Sequence, residues 1–349
     1  MSDNWMIYGA TGYTGRLIAE EAKARGLKPT LAGRNAEKVK AIADELELPW
    51  AAFSVDDKHA VEAALQDKAL VLSVAGPFSA TADQMTDACI ATGTHYLDVT
   101  GEIAVFELAA SKSSNAEKAG VTLLPGVGFD VVPSDCIAAH TAKRASGPTD
   151  LTLAIFGLGG ASRGTAKTGV ESLGTGTSIR RGGQISKTSK PMFRSFEFDG
   201  ESHEFIGVSW GDVSTAYHST GIDNIEVYFP NAGPIKSMAK MSKNFGWLMR
   251  RKFVQNFLKK KIDEMPAGPT AEQRAKAGTQ ILAEVTDKDG TIYRSILSCP
   301  NGYSLTADSA VTCAEKILAT NGKLGFQTPS RAFGVELLKD LKDCSIKDL

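Results

Sequence analysis

Residues 6–16, Met-Ile-Tyr-Gly-Ala-Thr-Gly-Tyr-Thr-Gly-Arg, restrict what this chain can fold into more than any other stretch. An apolar run ends in Gly9, Gly12 and Gly15 and passes directly into a helical pattern with Leu17, Ile18 and Ala22 on one face. A strand, a tight glycine turn and a helix N-terminus together make an anion site, because unpaired amides and the helix dipole favour negative charge there. Gly9 permits the sharp turn, Gly12 lets a pyrophosphate approach the backbone, and Gly15 lets the helix pack on its strand. Ala10, Thr11, Tyr13 and Thr14 fill the loop and join the three glycines as expected dinucleotide contacts. The spacing Gly-x-x-Gly-x-x-Gly departs from Gly-x-Gly-x-x-Gly but keeps its mechanics; a purely structural turn is the alternative.

The pattern of strand followed by helix then repeats. Strand-like runs fall at 30–32, 50–55, 69–74, 96–99 and 121–124, with helical runs at 36–46, 60–65, 82–91 and 105–119 between them. Such alternation implies an α/β fold, a Rossmann doubly wound parallel sheet whose ligands bind at the carboxyl ends of the strands. A chain of 349 residues has room for a second domain. Later runs at 194–198 and 204–208, joined by Asp199-Gly200, read as a hairpin, and 281–285 with 292–297 as another. With 225–229 they make a second α+β domain built on a largely antiparallel sheet.

The end of the second strand selects the cofactor. An NAD site places an acid about twenty residues past the glycines to accept the ribose hydroxyls. Here the strand runs into Arg34 and Asn35. Arg34 suits a 2′-phosphate, Asn35 adds a neutral donor, and the pair implies NADP, with NADPH preferred over NADH by about ten- to a hundredfold. A solvated arginine opening the next helix is the other reading. Asp56 could accept from the adenine amine or cap a helix with Asp57. Ala75, Gly76 and Pro77 allow a close backbone pass beside a nicotinamide ribose, or form an ordinary loop. None of the seven tyrosines has a lysine four residues on, so the usual Tyr-x-x-x-Lys pair of short-chain reductases is absent.

Composition excludes other classes. The net charge of -1 offers no global field for nucleic acid. The five cysteines are scattered and read as reduced thiols, no His or Cys spacing suits a metal, and no leader or apolar span is evident, so a cytoplasmic protein is expected. Residues 235–262 hold nine Lys and Arg and no acid, interleaved with Met238, Met241, Phe245, Trp247, Leu248, Phe253 and Phe257. That segment is either a basic helix touching the inner face of a membrane or an acyl substrate, or a packed helix pair with a solvated basic face.

Five stretches give the chain a family likeness. His95-Tyr-Leu-Asp-Val-Thr-Gly-Glu102 and residues 124–135, with their core Gly128-Phe-Asp-Val-Val-Pro-Ser-Asp135, resemble the saccharopine dehydrogenase-like family, and the segments 210–222, 268–274 and 325–329 resemble its subgroup with trans-acting enoyl reductases. The resemblance implies NADP-dependent hydride transfer to or from an imine, carbonyl or activated alkene, with an enoyl reductase acting on an acyl or lipid chain and a non-catalytic NADPH sensor as alternatives. It implies a homodimer and domains of 1–130 and 131–325, with 326–349 returning to the first; helix 304–318 leans the same way. Asp98 and Glu102, past the fifth strand, could orient substrate or relay a proton, or could serve loop hydrogen bonding. In the stretch from Gly126 to Asp135, which reads as a hinge or a ligand contact, Phe129 is counted as a cofactor contact. Asp212, Thr215, Tyr217 and His218 are expected to face substrate, with His218 a proton donor or a packed residue. Small residues between Gly157 and Gly183 suggest a closely packed helix ending in a charge pair, Arg180 and Arg181.

Overall fold

The computed structural model describes residues 4–157, 162–171, 176–188, 190–232, 236, 251–320 and 322–349. Two compact units divide the chain: Met1–Cys136 with Gly302–Cys344, and Ile137–Asn301 with Ser345–Leu349.

The first unit alternates strand and helix as the apolar pattern dictates: β1 (Trp5–Tyr8), α1 (Tyr13–Ala24), β2 (Thr30–Gly33), α2 (Ala36–Leu46), β3 (Trp50–Ala52), α3 (Lys58–Leu65) and β4 (Leu70–Ser73). It continues with α4 (Ala82–Thr92), β5 (His95–Asp98), α5 (Ile103–Ser111), α6 (Ser113–Lys118), β6 (Thr122–Leu124) and the start of α7 (Val132–Ala142). The second unit holds β7 (Pro148–Phe156), α8 (Arg163–Glu171), β8 (Thr177–Arg181), β9 (Gln184–Thr188), β10 (Phe193–Phe198) and β11 (Glu201–Gly207). After these come α9 (Asp212–Thr220), β12 (Asn224–Pro230), α10 (Lys252–Asp263), α11 (Ala271–Lys276), β13 (Gly278–Asp287) and β14 (Ile292–Pro300). The chain then gives the first unit α12 (Gly302–Thr320), β15 (Gly325–Phe326) and α13 (Pro329–Phe333), and the second unit β16 (Ser345–Asp348).

The first sheet is wholly parallel, in the order β15-β6-β5-β4-β1-β2-β3. Parallel strands need covering on both faces, which is why β1 and β4 read as unbroken apolar runs and why every residue of both is buried. The connection reverses direction between β1 and β4, so the turns after these two strands lie side by side at the switch point where ligands bind in such sheets.

The units part at 136/137, 301/302 and 344/345, and α12 lies in the first unit. Arg25 at the end of α1 ties it there, donating to Thr312 Oγ1 at 2.9 Å and Glu315 Oε2 at 2.8 Å and pairing with Asp308.

The second sheet runs β10-β11-β12-β7-β13-β14-β16, antiparallel except for β12 beside β7, with the β8–β9 hairpin attached to β12. Asp199 and Gly200, at φ of 54° and 83°, make the tight β10–β11 turn that the sequence implies. The alternating Phe196 and Phe198 point inward onto Phe205, Tyr228 and Leu282. One expectation is corrected. Arg180 and Arg181 do not end a helix: both lie on β8, Arg180 buried and Arg181 paired with Glu226. Residues 158–161 and 172–175 of that small-residue stretch, and 235 and 237–250 of the basic segment, lie outside the described residues.

Candidate functional site

The glycine turn is held from several sides. The amides of Gly9 and Ala10 donate to the Ala32 carbonyl at 2.8 and 3.2 Å, and Gly12 N–H donates back to Gly9 O at 3.0 Å. Gly9 has φ of 95°, and a Cβ there would come within 2.8 Å of the Ala75 nitrogen. A Cβ on Gly15 would strike the Gly9 carbonyl and stand 2.9 Å from Ala10 Cα, so only glycine lets α1 approach β1 this closely. No side chain caps α1 and its first turn holds no acid, which leaves the positive end of the helix dipole open to an anion. Thr11 and Gly12 are exposed at this end, Tyr13 and Thr14 are half-buried, and Ala10 is fully buried beneath the loop. The Tyr13 ring meets Tyr303 of α12 edge-on, centroids 5.1 Å apart.

Beside the turn lies a cavity of about 250 Å³ lined by Tyr8, Arg34, Val55, Asp56, Ala75, Gly76, Pro77, Ala80 and Thr81. The folded chain thus gathers Arg34, Asp56, Ala75, Gly76 and Pro77, which sequence reasoning took from three separate loops. Burial pushes the Tyr8 phenol up, and the positive charge of Arg34 opposes it. Asn35 caps α2, accepting from Lys38 N–H at 2.9 Å, so its carbonyl oxygen serves the helix. Asp57 is the cap of α3, accepting from Ala60 N–H at 3.1 Å, while Asp56 accepts from Ser54 Oγ at 3.0 Å and lines the cavity.

The acids past β5 are structurally engaged. Asp98 is fully buried; its Oδ1 accepts from the amides of Thr100 and Gly126, both at 2.9 Å, and its Oδ2 from the Tyr96 hydroxyl at 2.6 Å. It therefore clamps the end of β5 to the turn after β6. Burial raises its pKa to about 6, with those hydrogen bonds working in the other direction. Glu102 accepts from the amides of Phe78 and Ser79, each at 2.9 Å, and so anchors the short turn of 3₁₀ helix that follows Pro77. Phe129 is buried, its amide donates to Thr306 Oγ1 at 2.9 Å, and its ring covers Gly302, where a Cβ would meet it at 3.0 Å.

Asp130 is an acid that sequence reasoning quoted within a motif without assigning it a role. It is half-buried, lies against Gly101, where a Cβ would be 2.7 Å from its Oδ2, and has its pKa raised to about 7 by desolvation. The signal was there: an acid directly after Gly128-Phe129 in a glycine-rich turn at the edge of a parallel sheet.

His218 belongs to the second unit, on α9, half-buried with its ring edge-on to Tyr217 at 5.6 Å. Asp212 and Thr215 of the same helix are fully buried, and Tyr217 lies under the Arg180 guanidinium, 4.0 Å from its ring centre. Among the described residues no cluster of His, Cys, Asp and Glu forms a metal site.

The comparisons agree with this geometry. Residues 5–124 match the family model described as the saccharopine dehydrogenase NADP-binding domain. A trans-acting enoyl reductase of Mycobacterium ulcerans is 27% identical over 188 residues, and one from Mycobacterium tuberculosis is 29% identical over the same length. Each alignment takes in 50% of this chain and 45% of the relative, so the matched part is less than half of those proteins. Over 100% of both chains the fold is similar to that of apo saccharopine dehydrogenase (L-Glu forming) from Saccharomyces cerevisiae, with a TM-score of 0.64 at 12% identity. The glycine turn, the Arg34 cavity and the β5 and β6 strand ends all fall within or directly after the matched segment, so residues 5–124 resemble the NADP-binding domain of saccharopine dehydrogenase, on a chain whose fold is similar to that enzyme's.

Proposed function

We propose that this protein is an NADPH-preferring oxidoreductase acting on an imine, carbonyl or activated alkene. The observation that carries the reading is the cavity beside the glycine turn, where Arg34 stands at the end of β2 in the place an NAD enzyme gives to an acid. The uncapped N-terminus of α1 would take the pyrophosphate, with Thr11 and Gly12 exposed to it, and Arg34 the 2′-phosphate. Ala75, Gly76 and Pro77 would pass beside the nicotinamide ribose, with Glu102 holding the following turn in position. Bound there, NADP supplies or accepts a hydride at C4 of its nicotinamide.

Asp130 is the proposed proton-holding group, because a carboxyl raised to about 7 can give or take a proton at neutral pH. Asp98 is a positioning residue in this reading, its Oδ1 holding the Thr100 and Gly126 amides on either side of the loops that bring Gly101 and Asp130 together. The names of the mycobacterial relatives favour an enoyl group on an acyl chain as the alkene.

The test is isotope transfer. The protein is incubated with NADPH deuterated at nicotinamide C4 and with panels of imines, carbonyl compounds and enoyl thioesters. Deuterium should appear in products of one panel, and Asp130→Asn should slow its appearance with little change in NADPH affinity. NADPH binding without transfer to any panel would replace the enzyme reading with that of a sensor.

A further inference from the structure

We infer that the outward face of α10 docks on an anionic lipid bilayer. The helix has two apolar faces, and only one is covered. Val254, Leu258 and Ile262, spaced four apart, pack against Ala166 and Val170 of α8, which accounts for how the helix is held. Phe253 and Phe257 point elsewhere and are 68% and 61% exposed. Counting about 100° per residue, Lys260 falls about 20° to one side of Phe253 when viewed down the axis, with Lys252 further round on the same side.

The charge is one-sided. Arg251, Lys252, Lys259, Lys260 and Lys261 against Asp263 and Glu264 give residues 251–264 a net charge of +3 in a chain whose total is -1. The two acids sit at the end of the helix, beyond Phe257, and each is already paired, Asp263 with Lys167 and Glu264 with Lys261. Cores of protein interfaces are depleted in lysine, whereas helices that lie in a bilayer surface combine Phe with Lys. Burying two rings at the headgroup boundary while lysines meet lipid phosphates satisfies both features of this face; a neutral apolar partner would leave the cations unpaired. Among the described residues no helix is long and apolar enough to cross a membrane, so the contact is peripheral.

The full chain is sedimented at physiological salt with vesicles of phosphatidylcholine alone and with about one-third phosphatidylserine added. It should pellet with the anionic vesicles and stay in solution with the neutral ones. Phe253→Ser with Phe257→Ser, and separately Lys252→Glu with Lys260→Glu, should each lower the bound fraction about tenfold. All four side chains are exposed, and unchanged thermal unfolding of both variants confirms that the fold is intact. No binding, equal binding to the two vesicle types, or a Phe variant that binds like the parent would overturn the inference. A Phe variant that converts a dimer to a monomer while the parent ignores vesicles would overturn it in favour of a contact between two copies.

Discussion

The ends of the two sheets hold their key groups by different means. In the first unit the cradle is made of backbone: Gly9, Gly12 and Gly15 shape the turn, and the amides of Gly9 and Ala10 fix it to Ala32. In the second unit the corresponding order comes from side chains reaching across distant strands. Arg180 donates to the carbonyls of Val213 and Gly183 at 2.8 and 2.6 Å while stacking on Tyr217, and Glu284 takes both Arg194 and Arg294. Backbone sites of this kind tolerate almost no added volume. Side-chain sites fail when one partner is removed.

The comparison is broken most severely at Gly15. A valine there would drive its branches into the Gly9 carbonyl and Ala10, both main chain, at a cost of ~3 kcal/mol or more. Denaturant unfolding should show that loss together with undetectable NADPH binding; a stable Gly15→Val protein that binds NADPH would show that the turn is looser than described. Next in size is Arg180→Ala, which leaves one buried and one half-buried carbonyl and a tyrosine face without their cation and should cost about 3 kcal/mol. Arg180→Lys should recover less than half of it, since one ammonium cannot reproduce the planar fork. Full recovery would reduce the contact to simple charge.

A smaller effect separates structure from chemistry at Asp98. Burial favours its neutral form, so its contribution to stability is complete below a pH of about 4 and is lost as pH rises through about 6. A shift of about two pH units corresponds to about 3 kcal/mol. Asp98→Asn keeps an oxygen for Thr100 and Gly126 and lets the Tyr96 hydroxyl turn to accept, so stability measured from pH 4 to 7 should lose part of its downward slope. An unchanged slope would mean that the carboxyl ionises freely where it sits.

The same contrast explains what was legible in the chain. Glycines and strand ends declare themselves within a few residues, so the turn, the sheet class and the position of Arg34 could be read directly. Asn35 shows the limit of such reading: an Asn before Ala36-Glu37 is a helix-cap signal, and its carbonyl proves to serve α2. Glu102 finds its partners, Phe78 and Ser79, more than twenty residues back, and no local pattern reports that. Arg180 over Tyr217 is likewise a pairing made only when β8 and α9 are brought together. Asp130 was visible as a letter in a motif, but its raised pKa depends on how closely the chain folds around it.

Cofactor choice at Arg34 is the smallest energy in this series and the one on which the proposed function most depends. Titration of the parent and of Arg34→Ala with NADPH and with NADH, following nicotinamide fluorescence, measures it directly. The parent should bind NADPH about ten- to a hundredfold more tightly, equivalent to about 1.4–2.8 kcal/mol, and the variant should lose that preference with NADH affinity nearly unchanged. Equal affinities in the parent, or a parallel loss of both cofactors in the variant, would contradict the assignment of this cavity to a 2′-phosphate.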